Sequence, residues 1–215
     1  MQNNISKSIS KIAWGFIFVL IHINIGTVDI LPDFVGYIFM LSAINELTAE
    51  SKTISQLKPF GMILAVWNTV TWILKIFSYG ITVLTFINIL GVIINIYFTF
   101  RLLTECSMIA KKYQAENEAL DKKIIRNRNI FTVTITLCEI ISHFAFVIFG
   151  YEQDAMLYMS LILGFVALIV MLMTVSALFS LSKAIRERPA ETDNPVYDDT
   201  QSTYSIEEET ENTDE

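Results

Sequence analysis

AMLYMSLILGFVALIVMLMTVSALFSL, residues 155–181, contains no Asp, Glu, Lys or Arg from end to end. A helix needs about 20 mostly apolar residues to cross roughly 30 Å of hydrocarbon, and this run is longer than that. It lacks the strict alternation of a barrel strand, and in lipid a helix satisfies its backbone groups within itself. The stretch reads as a membrane-crossing helix. Five more apolar runs precede it, at roughly 12–30, 33–49, 59–79, 81–103 and 129–149. Of these, 81–103 and 129–149 also reach a crossing length unaided. The chain as a whole is 53% hydrophobic with mean hydropathy +0.50, more apolar than a typical soluble domain.

The basic residues orient these runs. With the N-terminus in the cytoplasm and six crossings, fourteen of the fifteen Lys and Arg fall inside, and only Lys75 lies near the outer face. The opposite orientation exposes almost every basic charge, against the positive-inside bias. Both ends are therefore expected in the cytoplasm. Lys7 and Lys11 precede an apolar stretch as in a signal peptide, but that stretch runs into His22, Asn24 and Asp29 without a small-residue cleavage site. It reads as an uncleaved first span.

The net charge of −7 conceals a division. Residues 189–215 hold ten Asp or Glu and no Lys or Arg, whereas the other 188 residues, with 15 basic against 12 acidic side chains, carry +3. The acidic end lacks apolar periodicity and reads as a disordered cytoplasmic tail. Residues 1–188 form the transmembrane domain. Its spans group into three antiparallel hairpins, 12–49, 59–103 and 129–181, with short outer turns. Segment 104–128, rich in Ala, Glu and Lys, is expected to extend the fourth span as a cytoplasmic helix, with Glu118 placed to pair with Lys122. Cys106 and Cys138 form neither a disulfide framework nor a zinc pattern. The fold class is an all-α integral membrane protein.

The first hairpin is the least apolar. Its second helix has about 14 residues from Phe34 to Leu47, about 21 Å of rise, so it either spans with Asn45, Glu46 and Glu50 at the interface or re-enters. Its turn carries Asp29-Ile30-Leu31-Pro32-Asp33-Phe34-Val35-Gly36-Tyr37. Gly26 suits a helix end, Pro32 a helix start, and Asp33 the positive end of the next helix dipole. Gly36 permits close approach of a neighbouring helix. A functional reading makes Asp29 and Asp33 an outward-facing access point for a cation or proton. The string Ile30 to Tyr37 resembles the N-terminal hairpin of uncharacterised small multi-spanning proteins of Firmicutes (clostridia and bacilli), well over about residues 12–50 and only in layout beyond. The resemblance implies a bacterial cytoplasmic membrane. Those relatives have no established activity, so it implies no functional residue.

Within the spans, Glu139 stands near the middle of a run where insertion of an ionised group costs about 2.5–3.5 kcal/mol. His143 lies four residues on, on the same face, and His22 at a plausible depth to join them. The three residues can relay protons, hold a divalent metal, or lock helices together by hydrogen bonds. Asn88 and Asn95, and Asn68, Thr71 and Lys75, form further polar stripes expected to turn inward. Lys122, Lys123, Arg126 and Arg128 immediately precede the fifth span, where they signal topology and can contact anionic lipid headgroups. The acidic tail can fold onto this basic patch or dock a basic partner.

No catalytic triad, phosphate loop, metal-ligand string or nucleotide motif is visible, and nothing points to nucleic-acid binding. No cofactor and no enzyme activity are expected. The leading expectation is a non-enzymatic accessory or regulatory membrane subunit with a membrane or cytoplasmic protein partner. A small proton- or ion-coupled transporter or channel using Glu139 and His143 is the alternative, and an intramembrane metal-dependent enzyme the third.

Overall fold

The computed structural model describes residues 2–20, 24–25, 28–29, 32–76, 85–114, 119–149 and 153–187. Six α-helices account for nearly all of them: α1 (Gln2–Leu20), α2 (Asp33–Leu47), α3 (Lys58–Ile76), α4 (Thr85–Tyr113), α5 (Leu120–Phe149) and α6 (Gln153–Glu187). The expected all-helical class is what the described chain shows. Three long stretches are apolar enough to cross a membrane by length and composition: Thr53–Leu74, Ile89–Tyr113 and Leu161–Glu187. No more than 33% of any of these windows is buried inside the protein.

Two boundaries differ from the sequence reading. The first helix begins at Gln2 and ends at Leu20 instead of running from 12 to 30. Its early turns look polar, but Ile5, Ile9, Ile12, Ala13 and Phe16 form one buried stripe at helical spacing. Beyond it, β1 (Asn24–Ile25) pairs antiparallel with β2 (Val28–Asp29), joining Asn24 to Asp29 and Ile25 to Val28. Gly26, expected at the end of the first helix, lies outside the described residues.

Segment 104–128 is the second difference. It does not extend α4 as one helix: α4 stops at Tyr113 and α5 starts at Leu120. The Gln114 side chain closes this reversal, accepting from the Asp121 amide at 3.0 Å and donating to the Asp121 carboxylate at 3.0 Å. The reversal sets α4 and α5 side by side, which a straight rod could not do. Glu118, the expected partner of Lys122, lies outside the described residues, as does the tail 189–215.

Each helix packs on its neighbour in sequence, and α6 packs back on α1, so the six close into a ring. The three hairpins are antiparallel, as Lys11 meets Glu46, Phe60 meets Tyr97 and Asn127 meets Met173. In the α1–α2 pair, a Cβ on Gly15 would lie 2.8 Å from the Gly36 carbonyl oxygen, and one on Gly36 would lie 2.5 Å from that of Gly15. Two glycines thus let the backbones touch, the small-residue contact of membrane helix pairs. Gly36 was legible as such a site; its partner Gly15 was not.

The core occupies one end of the ring. Ile9, Ile12, Met40, Ile44, Leu47, Ile54, Phe98, Leu102, Ile124, Leu178 and Leu181 are all essentially inaccessible. Rings fill the middle, with Phe16 edge-on to Phe131 at 6.4 Å and Tyr37 edge-on to Phe98 at 6.2 Å. Toward the other end, large apolar side chains instead face outward, among them Val66 and Val70 on α3, Ile93 on α4, Val133 and Leu137 on α5, and Leu161 and Phe165 on α6.

Candidate functional site

Polar side chains at the packed end join one helix to the next. Glu46, on the last turn of α2, accepts from Ser8 at 2.6 Å and pairs with Lys11, both on α1. One turn further, Glu50 pairs with Lys112 and accepts from the Tyr113 hydroxyl at 3.0 Å, tying the end of α2 to the end of α4. Glu105, 1% exposed, accepts from Ser51 at 2.9 Å and stands 3.8 Å from the Arg101 guanidinium. Ser6 donates to the Ser182 carbonyl at 2.7 Å and Ser182 donates to the Ser6 carbonyl at 2.8 Å, which seals α1 to α6. Sequence reasoning placed Glu46 and Glu50 at an interface but found none of their partners. The available signal was two acids four residues apart at the foot of a short helix, opposite a bundle rich in lysine.

The four basic residues expected at lipid headgroups divide. Lys122, Lys123 and Arg126 share one face of α5 and line an open cleft of about 480 Å³ with Ala119 and Leu120. Arg128 points elsewhere. Its guanidinium lies 4.2 Å from the centre of the Phe100 ring, donates to Thr104 at 2.9 Å and to Asn129, and so joins α5 to α4. A cation held over a ring and bonded to a hydroxyl contributes to packing. Beside the cleft, Asp121 is held below the usual carboxylate range, first by the Gln114 hydrogen bond and then by the Lys122 amide.

Glu139 is half-buried on α5, one turn beyond Ile135 and two beyond buried Phe131, so it continues the inward stripe of that helix. The opposite stripe, Ile130, Val133, Leu137 and Ile140, is exposed. His143 belongs to α5, but its side chain and the whole of His22 lie outside the described residues. Asp33 opens α2 as expected, while Asp29 is a member of the β1–β2 pairing.

The polar stripes part company as well. Asn95 does turn inward, accepting from buried Tyr37 at 3.1 Å across the ring. Asn68 and Thr71 instead donate to carbonyls of their own helix, Leu64 at 2.8 Å and Trp67 at 3.0 Å. The side chains of Asn88 and Lys75 lie outside the described residues. Cys106 is buried, Cys138 half-buried, and both are free. Among the described residues no group of three His, Cys, Asp or Glu is placed to hold a metal ion.

Fold and site together define a class: an all-helical protein with three long apolar helices of membrane-crossing kind, closed into a ring by polar contacts at one end. Comparison with protein-family models, with curated proteins and with solved structures finds no match to this chain.

Proposed function

We propose that this chain is a multi-pass protein of a bacterial cytoplasmic membrane, related to the small Firmicutes proteins its first hairpin resembles. Its six helices cross with both ends in the cytoplasm, and it serves as a non-enzymatic accessory or regulatory subunit of another protein. One observation carries the reading: Glu46, Glu50, Lys11, Lys112, Ser6, Ser8 and Ser182 at the packed end are engaged in helix-to-helix bonds, which builds a rigid foot and not a reaction centre. A rigid foot in a chain whose residues 189–215 hold ten acids and no Lys or Arg suits docking of a basic partner. The test is mass spectrometry of proteins copurified in native-like discs, for the full chain and for one lacking residues 189–215. The full chain is expected to bring a stoichiometric partner that the shortened chain loses. An unchanged set of copurifying proteins would remove the accessory role.

A second reading has an observation of its own. Glu139 continues an inward helix stripe toward the apolar end, the position a proton or ion pathway requires. A small proton- or ion-coupled transporter would use it with His143 and His22, and Asp29 and Asp33 would mark the outer access. Glu139→Gln should then abolish pH-dependent proton flux in reconstituted vesicles while the protein still folds. Normal flux in that variant eliminates the pathway.

A further inference from the structure

We propose that the trough between α5 and α6 at the basic end binds one anionic phospholipid, its phosphate held by Lys122, Lys123 and Arg126 and an acyl chain laid outward along α6. This rests on the membrane reading above.

Beside the cleft at the start of α5 lies a second, of about 400 Å³, with Lys123 and Arg126 in the lining of both. In the second, Lys123, Arg126 and Asn127 face Ile169, Leu172, Met173 and Ser176 of α6. Each set recurs at three- and four-residue steps, so two helical stripes form the walls. The basic rim lies in the first two turns of α5, where the helix terminus adds its own positive potential. The only carboxylate of that first turn, Asp121, is bound by Gln114 and lines neither cleft.

Charge selects an anion, and the wall beyond it selects a lipid over free phosphate. Ile162, Phe165, Val166, Ile169, Leu172 and Met173 make a continuous exposed stripe on α6. From Met173 to Ile162 it runs about 16 Å along the axis, a length suited to an acyl chain. Asn127 stands at the junction, 2% exposed; its amide donates to the Met173 carbonyl at 2.9 Å, and its Oδ1 has no hydrogen-bond partner in the protein. Phosphatidylglycerol, an anionic phospholipid, brings both a phosphate for the rim and acyl chains for the wall. The acidic tail is the competing occupant. It matches the rim, but Tyr197, Tyr204 and Ile206 offer too little apolar surface for the wall.

The test counts lipid retained by the full chain in phosphatidylcholine discs doped with phosphatidylglycerol, by native mass spectrometry after delipidation. Removing two of the rim charges in Lys123→Gln/Arg126→Gln should weaken phosphatidylglycerol retention about 30-fold, at about fivefold per charge. Lys52→Gln/Lys183→Gln, which removes two exposed charges outside the trough, should leave it unchanged. Equal loss in both pairs would mean diffuse surface attraction and overturn the site. So would complete displacement by millimolar inorganic phosphate, which marks an anion site, or lipid retention seen only after deleting 189–215, which marks the tail as occupant. Alkaline carbonate extraction of the unaltered chain separates the two levels. Release from the membrane overturns the membrane reading and the site with it, whereas retention with indifferent variant pairs overturns the site alone.

Discussion

Gly15 and Gly36 hold α1 and α2 together by the absence of two Cβ atoms. The obstacle each would meet is the other's backbone oxygen, which cannot rotate aside. Gly36→Ala is expected to lower stability by about 1–3 kcal/mol, seen as an earlier thermal transition in detergent micelles. Gly164→Ala is the contrast: nothing lies within 4 Å of its would-be Cβ, so no loss is expected. Among the acids, burial decides the ranking. Glu105→Ala removes a buried carboxylate that half-buried Ser51 and Arg101 both face and should cost about 1–3 kcal/mol. Glu46→Ala breaks an ion pair whose side chains are 35% and 41% exposed, worth about 1 kcal/mol at most, and the Ser8 hydroxyl it releases keeps the Asn4 carbonyl as acceptor at 2.9 Å, so a smaller loss is expected. Equal shifts from the two variants would contradict this. Asp121 gives a pH signature: its carboxyl is lowered on folding, so its contribution is present above the unfolded carboxylate pKa and lost as pH falls through the lower, folded value. Gln114→Ala should move its titration, read by NMR, back up toward the ordinary Asp range. At this scale the sequence showed which residue types were unusual for their place, such as Gly36 and Glu139. It did not show Gly15, whose meaning exists only opposite Gly36.

Helices were the most legible level, and their misread ends have physical causes. Apolar runs locate segments whose whole circumference is apolar, so they found the cores of α3, α4, α5 and α6. They missed the first turns of α1, where a single stripe of Ile5, Ile9 and Ile12 sits among Asn, Ser and Lys. Segment 104–128 has strong helix propensity throughout, and nothing local announces that it must reverse before α5. The closing contact of the ring is testable at this level. The hydroxyl oxygens of Ser6 and Ser182 are 3.0 Å apart, within the reach of a disulfide between cysteines placed there. In a chain with Cys106 and Cys138 changed to Ala, Ser6→Cys/Ser182→Cys is expected to cross-link on mild oxidation in intact membranes. Failure to cross-link would mean that α1 and α6 are not neighbours.

Among the described residues of the whole molecule, packing and charge are concentrated together at one end. There the ring is filled by aromatic and aliphatic side chains and clasped by ion pairs; toward the other end its large apolar residues face outward. A bundle in water would need that second half covered, whereas lipid tails solvate it without cost. The proposed orientation puts the clasped end in the cytoplasm. Gln56, exposed on the connection between α2 and α3, reports on it. Gln56→Cys should react with a membrane-impermeant maleimide only after cells are permeabilised. Labelling in intact cells would reverse the topology.

The sequence by itself determined the helical class and the apolar lengths, because hydropathy and helix propensity are sums over neighbouring residues. One-sided basic charge set the expected orientation in the same local way. Tertiary structure alone decided which polar groups meet: Ser6 with Ser182, 176 positions apart; Glu50 with Lys112; Arg128 with Phe100 and Thr104 instead of the cleft that Lys122, Lys123 and Arg126 line. Such pairings depend on how helices rotate and stack about one another, which the composition of a span leaves open. The close fit of Gly15 on Gly36, and the aromatic and aliphatic side chains packed within the ring, select one rotation from that set.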